Sequence, residues 1–370
     1  MDVQQEKLEK RALEITKEFQ IGETAKTATI YGSGHINDTF LIEGEKRYIL
    51  QRMNHNIFPN PEEVMENIMG VTGFLKKKIA KAGGDTKRET LTVIQTKKGK
   101  GFYLDREGEY WRMYHMIEDA ISYDKAENQQ IFYESAVAFG KFQQMLSDYP
   151  AETLHETISG FHDTKARYQA FEKAVEEDSC DRAKEVAAEI AFFKERKELS
   201  IVLGEMQKKG KLPLRVTHND TKLNNIMIDK KTGKGICIID LDTVMPGLAV
   251  NDFGDAIRFG ASTAAEDERD LSKVSCDLQL FERYVQGFLE GCAGKLTENE
   301  IAMLPMGAKV MTYECGMRFF TDYLQGDVYF KIHREKQNLD RARTQIQLVR
   351  DMEQKWSQME QIVQRYKNSK

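Results

Sequence analysis

Apolar residues recur every three or four positions across residues 4–19, where Leu8, Ala12, Ile15 and Phe19 share one side, and this period predicts an amphipathic helix. A different rhythm follows. Residues 27–31, 39–43 and 46–52 are short apolar-rich runs separated by the turns Gly32-Ser33-Gly34 and Gly44-Glu45, which predicts three antiparallel strands. Pro59 and Pro61 then introduce a helical pattern over about residues 62–80, since proline suits the first turn of a helix. Strand-like segments at 91–95 and 110–117, with 102–104 as a hairpin partner, complete a small unit ordered β-β-β-α-β-β.

After Glu118 the helical period takes over, at residues 131–147, 163–176, 181–204, 277–290, 298–325 and 338–366. The one clear β signal there is the pair 225–229 and 235–241, joined by Lys230-Lys231-Thr232-Gly233-Lys234. The reading is an α+β protein, with a β-rich region at residues 1–118 and a larger, mainly helical region at residues 119–370. No internal repeat is visible, and Lys76, Lys77 and Lys78 fit a solvated helix face.

Composition narrows the function. A chain of 370 residues, 41% hydrophobic, has room for two cored lobes. A net charge of −5 with both signs mixed argues against a nucleic-acid surface. An anionic ligand must then be met locally, by a metal ion, backbone N–H groups and a few cations. The five cysteines form no C-x-x-C pair and read as reduced thiols, not as a disulfide or zinc framework. No apolar leader segment and no run of 18 apolar residues is present, so a cytoplasmic protein that does not enter a membrane is expected.

The candidate chemistry lies on the late hairpin. His218-Asn219-Asp220 is followed by Asn225, and the apolar run 236–239 ends in Asp240 and Asp242. This spacing suits phosphoryl transfer: one carboxylate orients and deprotonates the attacking hydroxyl, while an amide oxygen and another carboxylate hold Mg²⁺. Asn, Asp and Thr also favour ordinary turns. The flanking strand patterns and the acid-tipped apolar run weigh toward chemistry. His218 is expected to be structural, because Asp220 already fills the base role.

Gly32, Ser33, Gly34, His35, Ile36 and Asn37 follow a strand and lead into a strand, where a dinucleotide-binding fingerprint would lead into a helix. They suit a flap over ATP phosphates, with a plain hairpin as the alternative. Asp252-Phe253-Gly254 spells a kinase metal motif but lies 32 residues past Asp220. The metal is therefore assigned to Asp240, and Asp252 and Asp255 are expected to cap the next helix and hold its loop.

Taken together, these motifs resemble the aminoglycoside phosphotransferase and choline kinase superfamily. Similarity extends through residues 48–55, 161–163, 318–323 and 326–330, and the last stretch, from Arg318 through Phe330, points to its sugar-kinase branch, the N-acetylhexosamine 1-kinases. The resemblance implies a protein-kinase-like, two-lobed fold that binds ATP and Mg²⁺. It implies Asp220 as base, Asn225 and Asp240 as Mg²⁺ ligands, and a connector including His115 and Ile117 that receives adenine. It also implies that Arg318 and Tyr329 grip a sugar beside Phe259. Arginine offers fixed donors to hydroxyl or acetamide groups, although Arg318 could instead be a surface ion pair and Tyr329 a core residue.

One departure stands out. Kinases usually carry a lysine on the third strand, where this chain has Gln51-Arg52. Strand alternation puts those two on opposite faces. A phosphate wants a cation, which favours Arg52, with Glu66 as its acidic partner and Glu62 and Glu63 as alternatives. The resulting expectation is a small-molecule kinase acting on the anomeric hydroxyl of an N-acetylhexosamine. A kinase of an aminoglycoside, choline or another sugar, and a non-catalytic nucleotide-binding protein, are the competing readings.

Overall fold

The computed structural model describes residues 3–32, 36–126 and 128–367. Ser33, Gly34 and His35 of the expected flap lie outside the described residues. The chain divides into two units, the first made of Met1–Ile121, Asp148–Ser159 and Met227–Met245. The boundary expected at 118 is close to the end of the first segment, and two later segments join that unit as well.

The first unit is built on an antiparallel sheet. Its strands are β1 (Thr27–Ile30), β2 (Asp38–Glu43), β3 (Arg47–Met53), β4 (Val93–Ile94), β5 (Tyr103–Leu104) and β6 (Tyr110–His115). They run in the order β1-β2-β3-β6-β4, with β5 also paired to β6. The register sets Thr39 opposite Gln51 and Gln51 opposite Arg112, while Asp38 faces Arg52 and Arg52 faces Trp111. Because side chains alternate across a sheet, these two rows point to opposite faces. Phe40, Leu50, Trp111 and Met113 share the Arg52 face and pack with Ala12, Ile15 and Phe19 in a buried cluster. Ala12 and Ile15 belong to helix α1 (Val3–Ile15), which covers that side.

Helix α2 (Pro61–Lys81) starts at Pro61, where the missing N–H costs nothing. It buries Val64, Ile68, Val71, Leu75 and Ile79 at helical spacing and meets the turn Leu241–Thr243. The late hairpin, Ile226–Asp229 with Gly235–Ile238, gains a third strand, β7 (Ala120–Ile121), paired through Ala120 opposite Asp229. A two-residue strand leaves almost no alternation in the sequence, so β7 was not foreseen.

The second unit comprises Ser122–Ser147, Gly160–Ile226 and Pro246–Lys370 and is mainly helical. Its helices are α3 (Gln129–Met145), α4 (Thr164–Glu177), α5 (Ala187–Glu195), α6 (Val202–Lys208), α7 (Ala249–Gly260), α8 (Leu278–Cys292), α9 (Glu298–Ala302), α10 (Leu304–Leu324), α11 (Gln337–Gln354) and α12 (Trp356–Lys367). Helix α3 packs along α8, and α10 packs against α7, α11 and α4. At the α7–α10 crossing a side chain on Gly254 would strike the backbone of Gly307. Gly254 is thus a packing glycine, which accounts for its place in the kinase-like letters.

Three expected long helices are each divided. The segment 298–325 breaks at Met303, just before Pro305, which cannot supply an interior N–H. The segment 338–366 breaks at Lys355, whose Nζ is drawn to Cys276 O at 2.9 Å and Asp351 Oδ2 at 2.7 Å. The segment 181–204 becomes α5 and α6 separated by a 3-10 turn, in which Ser200 Oγ donates to Lys197 O at 2.6 Å. The five cysteines are free thiols. Among the described residues no helix is long and apolar enough to cross a membrane.

Candidate active site

In the second unit, the strand Arg215–Thr217 delivers the chain into the His218–Asn225 loop, which is fastened to α7 from beneath. Asp252 accepts the backbone N–H groups of His218 (2.9 Å) and Asn219 (2.8 Å), and Gln143 Nε2 from α3 (2.9 Å). Thr221 donates its N–H to Asp255 (3.0 Å) and its hydroxyl to Asp252 O (2.6 Å). Both acids lie inside α7, and its N-cap, Leu248, has no side-chain cap. The expectation that they cap the helix is therefore corrected: they hold the loop that precedes it. Burial raises the Asp252 pKa, against the pull of these donors. Burial also works on Asp255, but the charges of Arg258, His162 and Lys222 and the Thr221 N–H hold it below the usual range.

His218 is fully buried, with Phe139 and Phe142 edge-on at 5.5 and 6.2 Å. Its Nδ1 accepts the Asp220 N–H at 3.3 Å. It serves the loop's shape, as the sequence suggested. Asn225 Nδ2 donates to Asp220 O (2.8 Å) and Oδ2 (3.1 Å), and Lys222 Nζ lies 3.1 Å from the same Oδ2. Asp220 and Asn225 are thus brought together. The Asn225 amide is turned so that its nitrogen faces Asp220, leaving its Oδ1 as the outward end. Lys222 was not singled out from the sequence, although it stands in the motif.

In the first unit, Asp240 ends the hairpin in the left-handed region (φ 58°), an uncommon conformation for a side chain other than glycine. It is exposed, and its charge bears on Arg112 and Tyr114. Two residues on, Asp242 is buried and ion-paired to Arg112, which is only 1% exposed. Arg112 also donates from Nε to Gln51 Oε1 (2.9 Å), and Asn37 Nδ2 donates to Asp242 Oδ2 (2.8 Å). Desolvation works to lower the Arg112 pKa, but the Asp242 charge and hydrogen bond, with the charges of Tyr114 and Asp240, together outweigh it and hold the guanidinium above its ordinary value.

The cation on the Gln51 face is therefore Arg112. Arg52 sits on the other face, paired with Asp38 (2.5 Å) and within 3.7 Å of Glu109. Glu66 is corrected in the same way: it binds His155 Nε2 at 2.8 Å on the surface and pairs with neither arginine. Its neighbour Asn67 is the buried one, donating to His155 O (2.8 Å) and Val244 O (2.9 Å). Arg112 escaped the sequence reading because its role depends on cross-strand register between segments sixty residues apart. In the connector, His115 is half-buried and its N–H donates to Thr92 O (3.0 Å), while Ile117 is buried. Gly32 has φ 80°, which suits the turn, and Ile36 is exposed.

The three expected sugar-gripping residues divide between two places in the second unit. The Arg318 guanidinium lies over the rings of Phe161 (5.5 Å), Tyr329 (6.0 Å) and Phe330 (5.5 Å). The loop carrying Tyr329 is fixed by Asp322, which accepts the N–H groups of Val328 (2.9 Å), Tyr329 (2.7 Å) and Phe330 (2.9 Å). Tyr329 is exposed, which excludes the core reading. Phe259 instead lines a cavity of about 330 Å³ with Thr221, Leu223, Arg258 and Gln345, and neither Arg318 nor Tyr329 is in its wall.

A family profile described as "Phosphotransferase enzyme family" matches residues 27–275. Among solved structures, a microcompartment-associated aminopropanol kinase superposes with a TM-score of 0.63 at 16% identity, over 95% of this chain and 98% of that one. A spectinomycin phosphotransferase solved with ADP and spectinomycin gives 0.57 at 13% identity, over 94% and 98%. A choline kinase from Cryptosporidium parvum gives 0.55 at 13% identity, over 96% and 97%. The kinase-like α+β fold expected from the sequence is borne out.

Proposed function

The chain belongs to the phosphotransferase enzyme family, and from that premise we propose that it is an ATP- and Mg²⁺-dependent kinase of a small neutral alcohol, with the anomeric hydroxyl of an N-acetylhexosamine as acceptor. The observation that carries the reading is the fastened His218–Asn225 loop, with Asp220 half-exposed between Asn225 and Lys222. In the proposed reaction the acceptor oxygen attacks the γ-phosphorus in line, the bond to ADP breaks, and the hydroxyl proton passes to the Asp220 carboxylate at Oδ1. Lys222 and Asn225 hold the other oxygen, Oδ2, and so keep the carboxylate aimed.

Oxygen donors suit Mg²⁺, and two are candidates. Asn225 presents an amide oxygen because its nitrogen is engaged by Asp220. Asp240 presents an exposed carboxylate at a rigid strand end. When bound, Mg²⁺ offsets charge on the phosphates. On the nucleotide side, Asn37 steadies Asp242 and Arg112 supplies the buried cation. Gly32, Ile36, His115 and Ile117 remain candidates for nucleotide contact.

A neutral acceptor is favoured over an ammonium acceptor because three acids that could hold a cation are already occupied. Glu266 pairs with Arg258 at 2.8 Å, Asp267 with Arg334 at 3.2 Å, and Asp322 binds backbone. The aminopropanol kinase and choline kinase likenesses favour an amino alcohol as the second reading. Asp220→Asn tests the mechanism: turnover should fall by about 10³-fold or more with ATP affinity retained, and undiminished turnover defeats it. A substrate panel followed by ³¹P NMR tests the acceptor. A product phosphorus coupled to an anomeric proton supports the sugar, and turnover of choline or aminopropanol alone defeats it.

A further inference from the structure

Residues 148–159 lie between α3 and α4 in the sequence but belong to the first unit, where they run along α2. Their contacts follow the helix from its C-terminal end backwards. Asp148 pairs with Lys78. Tyr149 meets the Phe74 ring edge-on at 5.2 Å, and a side chain on Gly70 would strike its hydroxyl. His155 reaches Glu66 and Asn67. Thr157 then leaves the helix and donates its hydroxyl to Asp242 O at 2.8 Å. The segment is a strap that spans about three turns of α2 and ends on the turn that follows Asp240.

At that end one side chain joins three pieces of chain. Asn67 of α2 is 2% exposed. Its Oδ1 accepts the His155 N–H at 2.9 Å, and its Nδ2 donates to His155 O at 2.8 Å and to Val244 O at 2.9 Å. The amide carbonyl and its N–H donors are thus all engaged with main chain. An aspartate would have no donor for the two carbonyls. An apolar residue would hold the helix without fixing distance or angle, whereas buried directional bonds specify one arrangement.

What these bonds fix is the turn Leu241–Thr243 and its flanks. Thr157 holds the Asp242 carbonyl, Asn67 holds the Val244 carbonyl, and Arg112 and Asn37 hold the Asp242 carboxylate. Asp240 enters the turn in the left-handed region, so the direction of its exposed carboxylate follows from how the turn is held. In protein kinases a helix glutamate pairs with a strand lysine beside the nucleotide. Here the α2 carboxylate Glu66 is on the surface, and α2 meets the turn through a neutral amide.

We infer that Asn67 is a positioning residue for the metal-nucleotide site, aiming the Asp240 carboxylate through the turn, and that Thr157 assists it. The inference rests on the reading of Asp240 as a Mg²⁺ ligand in an ATP-dependent kinase. Both residues act through the turn and not on the reacting atoms.

Calorimetric titration of ADP with and without Mg²⁺, on the full chain, measures the gain in affinity that the metal confers. Asn67→Leu should reduce that gain by about ten-fold, the scale of losing a group that orients a metal ligand, with metal-free ADP affinity unchanged. Thr157→Val removes one bond at nearly constant volume. It should reduce the gain by a smaller factor, and it decides the matter if Asn67→Leu does not fold. Lys78→Met, at the far end of the strap, should leave the gain as in wild type. Purely structural roles for Asn67 and Thr157 would lower the thermal midpoint and leave the gain intact. That result overturns the inference, while Mg²⁺-dependent ADP binding by wild type keeps the kinase reading standing. An equal loss in Lys78→Met also overturns it, because general loosening of α2 would then be the cause. If Mg²⁺ does not strengthen ADP binding to wild type at all, the reading of Asp240 fails and the inference fails with it.

Discussion

The two units hold their polar centres by different means. In the first, a buried guanidinium and a buried carboxylate, Arg112 and Asp242, answer each other, with Asn37 and Gln51 filling the remaining positions. In the second, the buried Asp252 is held chiefly by dipolar donors: it accepts two backbone N–H groups and one side-chain amide. A charge pair fixes two strands to a turn but depends on both partners, because either one left alone is an uncompensated buried charge. An acid held by backbone donors instead fixes the conformation of a loop, since the donors belong to consecutive residues. The second arrangement suits a segment that must present Asp220 in one orientation.

The sharpest way to break this contrast is to remove one member of the pair. Arg112→Met leaves Asp242 stranded and should cost about 3–5 kcal/mol in urea unfolding. Adding Asp242→Leu should restore much of that loss. Arg52→Met, on the opposite face of the same strand pair, should cost less than about 1 kcal/mol, because the Asp38 ion pair is partly exposed. The same variants separate the nucleotide roles. ATP KM should rise in Arg112→Met at a temperature where it is folded and stay near wild type in Arg52→Met. A large rise in Arg52→Met alone would return the phosphate role to Arg52.

A smaller effect is expected in the second unit. Asp252→Asn turns one acceptor oxygen into a donor, so at least one of the His218 N–H, Asn219 N–H and Gln143 Nε2 loses its partner. Stability should fall by about 1–3 kcal/mol. Turnover should fall further than stability implies, by about a hundred-fold, because the loop no longer fixes Asp220. If stability falls and the turnover of the folded fraction does not, Asp252 supports the core and not the loop's geometry.

The contrast also explains what the sequence could and could not disclose. Asp220, Asn225 and the turn-forming residues between them lie within one short segment, so their spacing is local and readable. Asp240 is visible for a related reason, as the end of an apolar run. The supports are not local. Asp252 meets His218 only after α7 has packed under the loop, and Arg112 meets Asp242 only once β6 has paired with β3 in a register that puts Gln51 beside it. Gln51 and Arg52 were rightly placed on opposite faces, but the deciding fact, which face carries Asp242, lies in another part of the chain. Met303 could have been read as a helix break, because Pro305 follows it. Lys355 could not, because its partner carbonyl belongs to Cys276.

The smallest effect concerns pH and again falls on the first unit. His115 ends β6 and lines a cavity of about 380 Å³ with Lys76 and Gln95. Burial lowers its pKa, helped by the charges of Lys46, Lys76 and Lys87. The sign follows from which state binds the proton first. As pH falls through about 6.5 the unfolded chain takes up a proton that the folded chain still refuses. Stability is therefore lost from that point down to the folded pKa and levels off below it. His115→Gln removes the titrating group, so the variant should lose less stability than wild type between about pH 7.5 and 5.5. Urea midpoints at those two values measure the difference. Equal losses would mean that the imidazole is as free to protonate in the fold as in the unfolded chain.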